Sequence, residues 1–321
     1  MISHFTGKRI LITGASGYIA SNLIQLLNKT NCTIIRLSRK RTLSPTKGAA
    51  NIVDVMKDIR NRNIFEQLLE GVDIVYHLAG QTSLYFADKN PLDDLEINVV
   101  PMLNILETCR DRKWKLDIIF SGTVTEAGIP KRLPVNEDYQ DRPVSIYDMH
   151  KLMAENYLMY YAHHGIIRGT SLRLSNVYGP GPESSTTDRG ILNMMIRKAL
   201  KNEPINIYGT GEHLRDYIFI EDVVNAFIQA AVNINRANGK YFVIGTGKGI
   251  TIKQAVNHIA ERVALKTGNK VVVRHVDPPS LLHPVEYRDF VADPQGFMNI
   301  TGLKIKYSLT QGIDRTIDSF G

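Results

Sequence analysis

Acidic residues are absent from the first 53 positions of this 321-residue chain, although the whole sequence contains 32 of them. The same segment holds eight of the 39 basic residues, so the remainder, residues 54–321, has 31 bases against 32 acids. The net charge of +7 therefore belongs to one short region and is not spread over the protein. A dispersed positive charge is typical of proteins that bind nucleic acid or a membrane surface, and its absence here argues against both kinds of partner.

Cysteines and long apolar segments are also scarce. Cys32 and Cys109 are the only cysteines, too few for a disulfide framework or a cysteine-ligated metal site, and a reducing, cytoplasmic location is expected. The nine histidines show no metal-ligand spacing with carboxylates or cysteines, so no metal is expected. The apolar run Ile10–Ile12 is interrupted by Thr13 and Gly14, and we expect neither an export signal nor a membrane span there.

The remaining composition is that of an ordinary globular protein, with 43% hydrophobic and 22% charged residues, long enough for one large domain or two coupled ones. In the first half, β-rich runs alternate with segments of helical apolar spacing, which predicts a parallel sheet covered on both faces. The expected strands are Arg9–Thr13, Thr33–Leu37, Asp73–His77, Asp117–Ser121 and Thr170–Leu174, and the expected helices are Tyr18–Leu27, Ile64–Glu70, Leu92–Cys109 and Asp148–Tyr161. Two Gly-Pro pairs at Gly179–Pro182 interrupt the pattern, and a helix near Ile191–Lys201, a strand near Tyr241–Ile244 and a helix near Ile252–Lys266 follow.

A glycine-containing turn connects the first expected strand to the first expected helix. Residues Thr13–Ala20 read TGASGYIA, and the glycines allow the backbone to turn tightly and to approach a pyrophosphate without an intervening side chain. The helix N-terminus then offers N–H groups and the positive end of its dipole to that anion. The turn predicts a dinucleotide-binding site, with a simple strand-to-helix connection as the alternative.

The end of the second strand bears on the choice between NAD and NADP. A carboxylate there would accept a hydrogen bond from the ribose 2′-hydroxyl of NAD, but the chain reads Leu37-Ser38-Arg39-Lys40-Arg41. Ser38 and Arg39 suit a 2′-phosphate instead, through a hydrogen bond and a charge-assisted guanidinium contact. We therefore prefer NADP to NAD, and the alternative is a solvated basic loop.

Tyr147 and Lys151 are four residues apart, so they lie one above the other on one face of the predicted helix. A free tyrosine, with a pKa of about 10, is a poor base at neutral pH. A neighbouring ammonium group stabilises the phenolate and lowers this pKa, which makes a tyrosine usable as a proton donor and acceptor. Together with the phosphate turn upstream, the pair predicts that Tyr147 transfers a proton.

These features resemble the extended short-chain dehydrogenase/reductase superfamily, in its NAD-dependent epimerase/dehydratase branch, whose members act on nucleotide sugars. The resemblance covers nearly the whole chain, because further matches follow in the order and spacing of the family. They are Asp58-Ile59-Arg60, His77-Leu78-Ala79-Gly80, Asn98–Asn104 with Pro101 in place of the usual glycine, Phe120–Thr123, Asn176–Pro180 and Arg215–Ile218.

The resemblance implies that Thr123, Tyr147 and Lys151 are catalytic, with the Thr123 hydroxyl bonded to the reacting sugar oxygen and Lys151 also bound to the nicotinamide ribose. Arg215 and, with a looser match, Arg288 are expected to hold the nucleotide diphosphate, while a structural ion pair is the alternative for either arginine. Residues expected to bind the cofactor are Gly14, Ser16, Gly17, Tyr18, Ile19, Ser38, Arg39, Asp58, Ile59, Leu78, Ala79, Gly80, Asn98, Tyr147, Lys151 and Leu174. Those expected to bind the substrate are Thr82, Ser83, Thr123, Asn176, Arg215 and Arg288.

Two departures from the family pattern bear on the reaction. Dehydratases of the family carry Asp-Glu directly after the catalytic threonine, an acid/base pair that expels water. Here Val124 and Thr125 occupy those positions, which disfavours 4,6-dehydration. The usual Val-Tyr-Gly that follows is replaced by Glu126-Ala127-Gly128, and Glu126 is expected to point away from the site if the segment is extended.

Three functions remain open. An epimerase oxidises a sugar carbon, expected to be C4, and returns the hydride to the other face, whereas a 4-ketoreductase transfers hydride once from NADPH. Family membership favours the epimerase, and the basic residues after Leu37 favour the reductase. A dinucleotide-sensing protein that kept the fold but lost the chemistry is the third alternative, although Thr123, Tyr147 and Lys151 are all retained.

The resemblance implies a doubly wound parallel sheet, the Rossmann domain, with a smaller, mostly C-terminal α/β substrate domain. Residues 1–178 with about 211–245 are expected to form the first domain, and about 179–210 with 246–321 the second. The substrate is expected in the cleft between them. By the same resemblance, the helices Leu92–Cys109 and Asp148–Tyr161 are expected to form a four-helix bundle in a homodimer.

Overall fold

A computed structural model describes residues 2–39, 47–182, 190–278 and 282–321. The strands are β1 (Arg9–Thr13), β2 (Thr33–Ser38), β3 (Asn51–Met56), β4 (Ile74–His77), β5 (Asp117–Thr123), β6 (Arg168–Leu174), β7 (Asn176–Tyr178), β8 (Ile205–Tyr208), β9 (Leu214–Arg215), β10 (Tyr217–Phe219), β11 (Lys240–Ile244), β12 (Ile250–Thr251) and β13 (Val273–Val276). The helices are α1 (Tyr18–Leu27), α2 (Asn63–Leu68), α3 (Leu84–Lys89), α4 (Pro91–Asn98), α5 (Val100–Arg112), α6 (Ile146–His163), α7 (Ile191–Leu200), α8 (Ile220–Val232), α9 (Ile234–Ala237), α10 (Ile252–Thr267), α11 (Gln295–Thr301) and α12 (Leu309–Phe320). Short 3-10 helices cover Ile2–Phe5, Val124–Ala127 and Pro284–Tyr287.

Seven parallel strands form the central sheet, in the order β11-β6-β5-β4-β1-β2-β3. The chain runs from β1 to β2 and β3 on one side, and from β4 to β5 and β6 on the other, so the strand order reverses between β1 and β4. In such a sheet all strands end at the same edge, and a crevice opens there at the point of reversal. The predicted doubly wound parallel sheet is confirmed.

Both faces of the sheet are buried, as the alternating side chains of β1 show. Ile10 and Ile12 belong to one hydrophobic cluster, which includes Leu23 of α1 and Phe227 of α8. Leu11 belongs to a second cluster, to which α2, α5 and α6 contribute. A strand covered on both faces is apolar at successive positions, which is why Ile10–Ile12 forms an unbroken apolar run.

Elements from the second half of the chain form a smaller helical and β layer. Helices α7, α10 and α12 contact one another, and α10 also packs on the parallel pair β8 and β13. Their buried side chains join the cluster that contains α1 and α8. The predicted helices near Ile191–Lys201 and Ile252–Lys266 correspond to α7 and α10, and the predicted strand near Tyr241–Ile244 corresponds to β11.

Backbone contacts fix the position of the segment that leads to α11. Val135 forms a parallel bridge with Ala292. The buried carboxylate of Asp216, between β9 and β10, accepts hydrogen bonds from the N–H groups of Thr246, Gly247 and Ala292 at 2.9, 3.0 and 3.1 Å. These contacts hold two distant stretches of chain, at residues 246–247 and at residue 292, around one carboxylate next to Arg215.

The expected single helix Leu92–Cys109 is wrong, because the structure divides it into α4 and α5. The helices meet at Val99, where the backbone has φ −107° and ψ −52°. Pro101 lies in the first turn of α5, where its missing N–H group is tolerated, whereas in the interior of one long helix it would remove a hydrogen bond. Apolar spacing continues across the junction, so periodicity alone gave no sign of the break.

Several elements were not expected, among them β3, α3, α8 and α12. Side chains of α8 are buried almost all round, and its polar stripe is narrow, formed by Glu221, Asn225 and Gln229 at a spacing of four residues. Its one N-terminal signal is the acidic pair Glu221 and Asp222 in the first turn.

Candidate active site

Two glycines shape the turn between β1 and α1. Gly14 has a φ of +67°, and a Cβ atom there would lie 2.7 Å from the Cα atom of Ala79. Gly17 is the N-cap of α1, and its N–H donates to the Gly14 carbonyl oxygen at 2.8 Å. No side-chain oxygen caps α1, so the N–H groups of its first turn, which includes Ile19, are available to an anion. With Ser16 exposed on the same turn, this arrangement fits a dinucleotide pyrophosphate.

The side chain of Tyr18 does not line the glycine turn but contacts the Gly-Pro segment after β7. Its hydroxyl donates to the carbonyl oxygen of Gly179 at 2.9 Å, and Asn22 on the same helix donates to that of Pro180 at 3.1 Å. From α7, the Asn193 amide accepts from the Gly179 N–H at 2.9 Å and donates to its oxygen at 3.0 Å. The Gly-Pro segment is therefore held by both α1 and α7. Because the Tyr18 side chain makes this contact, only the main chain of Tyr18, at the start of α1, lies in the glycine turn.

Thr13, the last residue of β1, holds the loop after β4 beside the turn. Its Oγ1 accepts hydrogen bonds from the N–H groups of Leu78 and Ala79, each at 3.1 Å. The same hydroxyl lies 2.8 Å from Nδ1 of His77. Burial, and secondarily the charge of Lys151, lowers the pKa of His77 to about 3, so the imidazole is neutral. Thr13 thus places two predicted cofactor residues directly against Gly14.

The residues predicted at the adenosine end lie at the ends of β2 and β3. Ser38 ends β2 and is buried, whereas Arg39 follows it and is exposed. Beyond β3, Asp58 accepts hydrogen bonds from the Arg60 guanidinium at 2.7 and 3.1 Å, and Ile59 is buried. These bonds, with a smaller contribution from the charge of Arg39, lower the pKa of Asp58.

The neighbouring carboxylate, Asp54, is bound by another arginine. Two hydrogen bonds of 2.6 and 2.7 Å join it to the buried guanidinium of Arg36, across β2 and β3. Strand β2 itself ends without an acidic residue, as the sequence indicated. Lys40 and Arg41, which extended the predicted basic segment, lie outside the described residues.

The predicted catalytic side chains lie on two elements at the carboxyl edge of the sheet. Thr123 ends β5 and pairs in register with Leu174, the last residue of β6. Tyr147 and Lys151 lie on the first turns of α6, which begins after the N-cap residue Ser145. Thr123, Tyr147 and Lys151 are 9%, 5% and 5% exposed, so water has little access to them.

The charge of Lys151 depends on its surroundings. Burial lowers the pKa of Lys151 to about 8, while the negative charges of Glu126, Glu155 and Asp94 act in the opposite direction. Its Nζ atom lies 3.9 Å from the centroid of the Phe120 ring, within range of a cation–π contact. Lys151 therefore gains or loses its charge close to the pH at which most enzymes work.

The segment after Thr123 is not extended, so the expected direction of Glu126 away from the site is wrong. Val124–Ala127 form a 3-10 helix with Thr123 as its N-cap. This turn brings Glu126 back to the end of β5, where Oε1 accepts the N–H of Thr123 at 2.8 Å. Thr125 Oγ1 lies 3.0 Å from Thr123 Oγ1, and neither it nor the buried Val124 carries a titratable group. The pattern Thr-x-x-Glu is a capping-box signature, and it could have predicted this turn from the sequence.

Asn98 acts on the predicted cofactor loop from behind. Its Oδ1 accepts the N–H of Gln81 at 3.1 Å, and its Nδ2 donates to the Gln81 carbonyl oxygen at 3.1 Å and to Asp94 at 3.0 Å. A Cβ atom on Gly80 would lie 2.8 Å from Asn98 Oδ1. The buried amide therefore shapes the backbone at residues 80 and 81.

Three predicted substrate residues follow β4 and β6 at the same edge, two of them in a loop and one at the start of β7. Thr82 is exposed, and the next residue, Ser83, is the N-cap of α3, whose Oγ accepts the N–H of Phe86 at 3.2 Å. Asn176 begins β7 directly beyond β6, and its N–H donates to the carbonyl oxygen of Asp216 at 3.0 Å.

Arg215 and Arg288 are both buried against the 3-10 helix Pro284–Tyr287. Arg215 donates to the carbonyl oxygens of Glu286, at 2.7 Å, and of Arg288, while Arg288 donates to that of Val285 at 3.1 Å. The Glu286 carboxylate is 4.0 Å from the Arg215 guanidinium, at the limit of an ion pair. Carbonyl oxygens orient guanidinium groups without cancelling their charge, so these contacts suit arginines that hold an anionic ligand.

The 3-10 helix Pro284–Tyr287, against which the two arginines pack, is adjacent to α6. Val285, in the same 3-10 helix, packs in a small cluster with Tyr147 and with Leu84 and Ala87 of α3. The described parts of the chain contain no group of three or more His, Cys, Asp and Glu residues that could hold a metal ion. No helix among the described residues is long and apolar enough to cross a membrane.

Comparison with known proteins identifies relatives along most of the chain. Residues 10–245 match the model of the NAD dependent epimerase/dehydratase family. A putative UDP-glucose 4-epimerase of Methanocaldococcus jannaschii is 31% identical over 260 residues, which are 80% of this chain and 83% of the relative. The CDP-paratose 2-epimerase of Salmonella typhi is 28% identical, over 97% of this chain and 98% of the relative.

Solved structures agree with these sequence relatives. The crystal structure of UDP-glucose 4-epimerase from Thermotoga maritima with UDP-glucose superposes with a TM-score of 0.86, at 26% identity, and covers 97% of this chain and 98% of that chain. The UDP-glucose 4-epimerase of Thermus thermophilus in complex with NAD gives a TM-score of 0.83 at 26% identity, with the same coverage.

The role of Thr13 yields a first prediction. Thr13→Val keeps the shape of the side chain but leaves the N–H groups of residues 78 and 79 without their acceptor, and we expect a loss of about 1–3 kcal/mol in the free energy of unfolding. Dinucleotide affinity should fall as well, because the loop after β4 is no longer held against the phosphate turn. Chemical denaturation and calorimetric titration with NAD measure the two effects.

Thr13→Ser, which keeps the oxygen, is the matched control and should retain most of both properties. Equal stability and affinity in the valine and serine variants would contradict the role assigned to the hydroxyl.

Proposed function

This chain belongs to the NAD-dependent epimerase/dehydratase family, and on that premise we propose that it is an NAD(P)-dependent epimerase of nucleotide-diphosphate sugars, acting at C4 of the sugar. The observation that carries the proposal is the burial of Thr123, Tyr147 and Lys151 at the carboxyl edge of the sheet. The glycine turn between β1 and α1 lies at the same edge. The positively charged Arg215 and Arg288 pack against the 3-10 helix Pro284–Tyr287, which contacts Tyr147 of α6. The relatives named as UDP-glucose 4-epimerases support C4, and the relative named as a 2-epimerase makes the carbon a point to be tested.

In the proposed mechanism the protein handles the proton. A nicotinamide dinucleotide, when bound, supplies the acceptor and donor of hydride at the sugar carbon. Tyr147 removes the proton of the sugar hydroxyl as the carbon is oxidised and returns it when the carbon is reduced on the opposite face. The hydroxyl of Thr123 hydrogen-bonds the same oxygen, and the ammonium of Lys151 stabilises the phenolate of Tyr147. Proton and hydride each return to the sugar, so no net oxidation results.

Binding roles are proposed for the surrounding residues. The turn Gly14–Ile19 takes the pyrophosphate of the dinucleotide on the N-terminus of α1, and Ser38, Arg39, Asp58 and Ile59 take its adenosine end. Leu78, Ala79, Gly80 and Leu174 line the cofactor, while Asn98 acts through the backbone of residue 81.

Arg215 and Arg288 hold the diphosphate of the substrate, and Thr82, Ser83 and Asn176 contact its sugar. We further propose that residues 1–178 with about 211–245 form the dinucleotide domain, and about 179–210 with 246–321 the substrate domain. Asp216, whose carboxylate joins residues 246, 247 and 292, then couples the returning chain to the substrate domain.

A 4-ketoreductase is the second candidate, favoured by one observation. β2 ends in buried Ser38 and exposed Arg39, a pair that suits the 2′-phosphate of NADPH. A dinucleotide-sensing protein without activity is the third, and 4,6-dehydration is disfavoured because Val124 and Thr125 cannot transfer protons at neutral pH.

The α5–α6 surface supports a homodimer. A groove of about 660 Å³ on this surface is lined by side chains of α6, among them the exposed Met149, Met153, Tyr157 and Tyr160. Exposed apolar patches of this kind mark protein–protein interfaces. In a symmetric dimer, α5 and α6 of one copy would pack on the same helices of the second copy as a four-helix bundle, and each copy would cover the groove of the other.

Replacement of the proposed general acid/base is the decisive test of function. Tyr147→Phe should lower kcat by about 10²–10⁴-fold, because the sugar hydroxyl loses its proton acceptor, while NAD affinity is retained. The assay incubates the protein with UDP-glucose, other nucleotide sugars and their 4-keto-6-deoxy forms, with NAD or NADPH, and resolves the products by NMR.

Tyr307→Phe, which removes a hydroxyl bonded to Glu221, is the matched control and should leave turnover unchanged. Inverted sugars without net cofactor consumption identify the epimerase, and stoichiometric NADPH consumption with a keto sugar identifies the reductase. Undiminished turnover in Tyr147→Phe would contradict the proposed catalytic role.

Cofactor choice is tested at the end of β2. Arg39→Ala removes the guanidinium proposed to contact the 2′-phosphate, so we expect NADP to bind about 10–100-fold more weakly, with NAD affinity nearly unchanged. Fluorescence titration with both cofactors measures the ratio. An equal effect on both cofactors, or none, would show that Arg39 belongs to a solvated loop.

The dimer is tested by a charge placed in the groove. Met153→Glu should shift the protein from dimer to monomer in sedimentation velocity, because burying an unpaired carboxylate opposes association. Met56→Glu, at an exposed methionine of the edge strand β3, is the control and should leave the sedimentation coefficient unchanged. A wild-type protein that sediments as a monomer would refute the interface.

A further inference from the structure

Glu126 is a buried acid that the proposed reaction does not use. It lies in the 3-10 helix after β5, and none of its surface is exposed. Oε1 accepts the main-chain N–H of Thr123 at 2.8 Å, and Oε2 lies 3.0 Å from Nε of Arg173. One carboxylate thus joins the residue that carries the proposed catalytic hydroxyl to a buried cation on β6.

Arg173 is the centre of an acid-rich cluster. Its guanidinium donates to both oxygens of Asp141, at 2.6 and 2.8 Å, and to Glu155, at 2.6 Å in the shortest contact. The guanidinium carbon lies 3.6 Å from the centroid of the Tyr241 ring. Three carboxylates, including Glu126, therefore surround one arginine, and one positive charge cannot neutralise them all.

Lys151 provides the second positive charge near this cluster. Glu155 follows it by one helical turn on α6, and the 3-10 helix that carries Glu126 packs on α6. Three carboxylates raise the pKa of Lys151, and in order of decreasing effect they are Glu126, Glu155 and Asp94, the last from α4. Burial and the neighbouring charge of Glu155 raise the pKa of Glu126 well above its usual range, and Arg173, the Thr123 N–H and Lys151 offset only part of that rise. The charged form of Glu126 therefore depends on the two neighbouring cations, Arg173 and Lys151.

The close packing around the cluster leaves it little freedom. A Cβ atom on Gly122, which pairs in register with Arg173, would lie 2.7 Å from Oγ of Ser171 and 3.2 Å from Oε2 of Glu155. One carboxylate of the cluster, that of Glu155, therefore lies close to the backbone of β5 immediately before Thr123.

We propose that Glu126 is a positioning residue, which holds Thr123 in place through its main-chain N–H and supplies negative charge that keeps Lys151 protonated. An uncharged glutamine could accept the same N–H, and burial of a charged carboxylate costs free energy, so the hydrogen bond alone does not explain an acid at this position. The ion pair with Arg173 accounts for part of the charge, but Arg173 is shared among three carboxylates, and the excess negative charge is explained if it stabilises the Lys151 ammonium. The consequence for catalysis rests on the function proposed above, in which that ammonium stabilises the Tyr147 phenolate.

Lysine titration by NMR tests the charge directly, without turnover. In protein labelled with 13C at lysine Cε, one resonance should titrate near pH 8, and Lys151→Arg should remove it and thereby assign it. Glu126→Gln keeps the acceptor for Thr123 but removes the charge, so the midpoint of this resonance should fall by about one pH unit. An unchanged midpoint would overturn the proposal, whether or not a substrate has been found.

Activity profiles provide the second arm. The ammonium form of Lys151 is active and is lost as the pH rises through its pKa, so a lower pKa moves the alkaline limb of kcat to lower pH. With a shift of one unit, kcat of Glu126→Gln should be about fivefold lower at pH 8 and nearly unchanged at pH 6. The KM for the nucleotide sugar should not change, because Glu126 is fully buried. Equal losses at both pH values would indicate a structural role and would count against the proposal.

Two further variants complete the design. Glu126→Asp keeps the charge but shortens the side chain, so it should preserve the lysine midpoint and lower kcat at every pH, since Thr123 loses its support. It also tests the charge if the glutamine variant does not fold, because a changed midpoint in the aspartate variant would contradict the assignment. The matched control is Glu137→Gln, a half-buried glutamate that accepts the N–H of Val243 at 2.8 Å and is not among the charges acting on Lys151. It should leave both readouts unchanged.

Discussion

All seven strands of the central sheet run in the same direction, and this constraint determines where chemistry can occur. Parallel strands end at one edge, so the residues that follow β1, β2, β4, β5 and β6 meet there without being close in sequence. The reversal of strand order between β1 and β4 opens the crevice. The phosphate turn, the loop held by Thr13 and the end of β5 all depend on that geometry for their relative positions.

The described residues form two kinds of electrostatic environment. Near the end of β5, Arg173 and Lys151 are outnumbered by the acids around them. Around the 3-10 helix Pro284–Tyr287, two guanidinium groups are oriented mainly by carbonyl oxygens. The first environment suits a group that must hold and release protons, and the second suits a ligand with permanent negative charge. A substrate with a sugar at one end and a diphosphate at the other would match this division.

The sequence predicted the elements in which local signals agree. Helix α1 begins at Tyr18 and ends at Leu27 as expected, because a glycine turn, apolar spacing and a preceding strand all indicate the same boundaries. Apolar periodicity runs through the junction at Val99, and only Pro101 indicates locally that one continuous helix cannot form there. Helix α8 has a narrow polar stripe, and the burial of its other side chains depends on tertiary packing, which a local pattern does not contain.

The site was predictable to a similar extent. Motifs indicated the residues at the ends of strands but not the contacts that position them. These contacts are the hydrogen bonds from the N–H groups of Leu78 and Ala79 to the Thr13 hydroxyl, and the bond from the Thr123 N–H to Glu126. Both contacts join residues whose meeting depends on a turn or on strand order. The capping-box pattern Thr123-x-x-Glu126 is a local signal, and it is sufficient to predict the turn that returns Glu126 to Thr123.

Gly14 illustrates how such a motif should be read in other sequences. Its missing side chain is required by the backbone of Ala79, which approaches within 2.7 Å of where a Cβ atom would lie, before any ligand is considered. A descendant that no longer bound nucleotides would still need glycine at this position in order to fold. The first glycine of the motif is therefore diagnostic of the strand arrangement, and the uncapped helix at Gly17 carries the information about ligands.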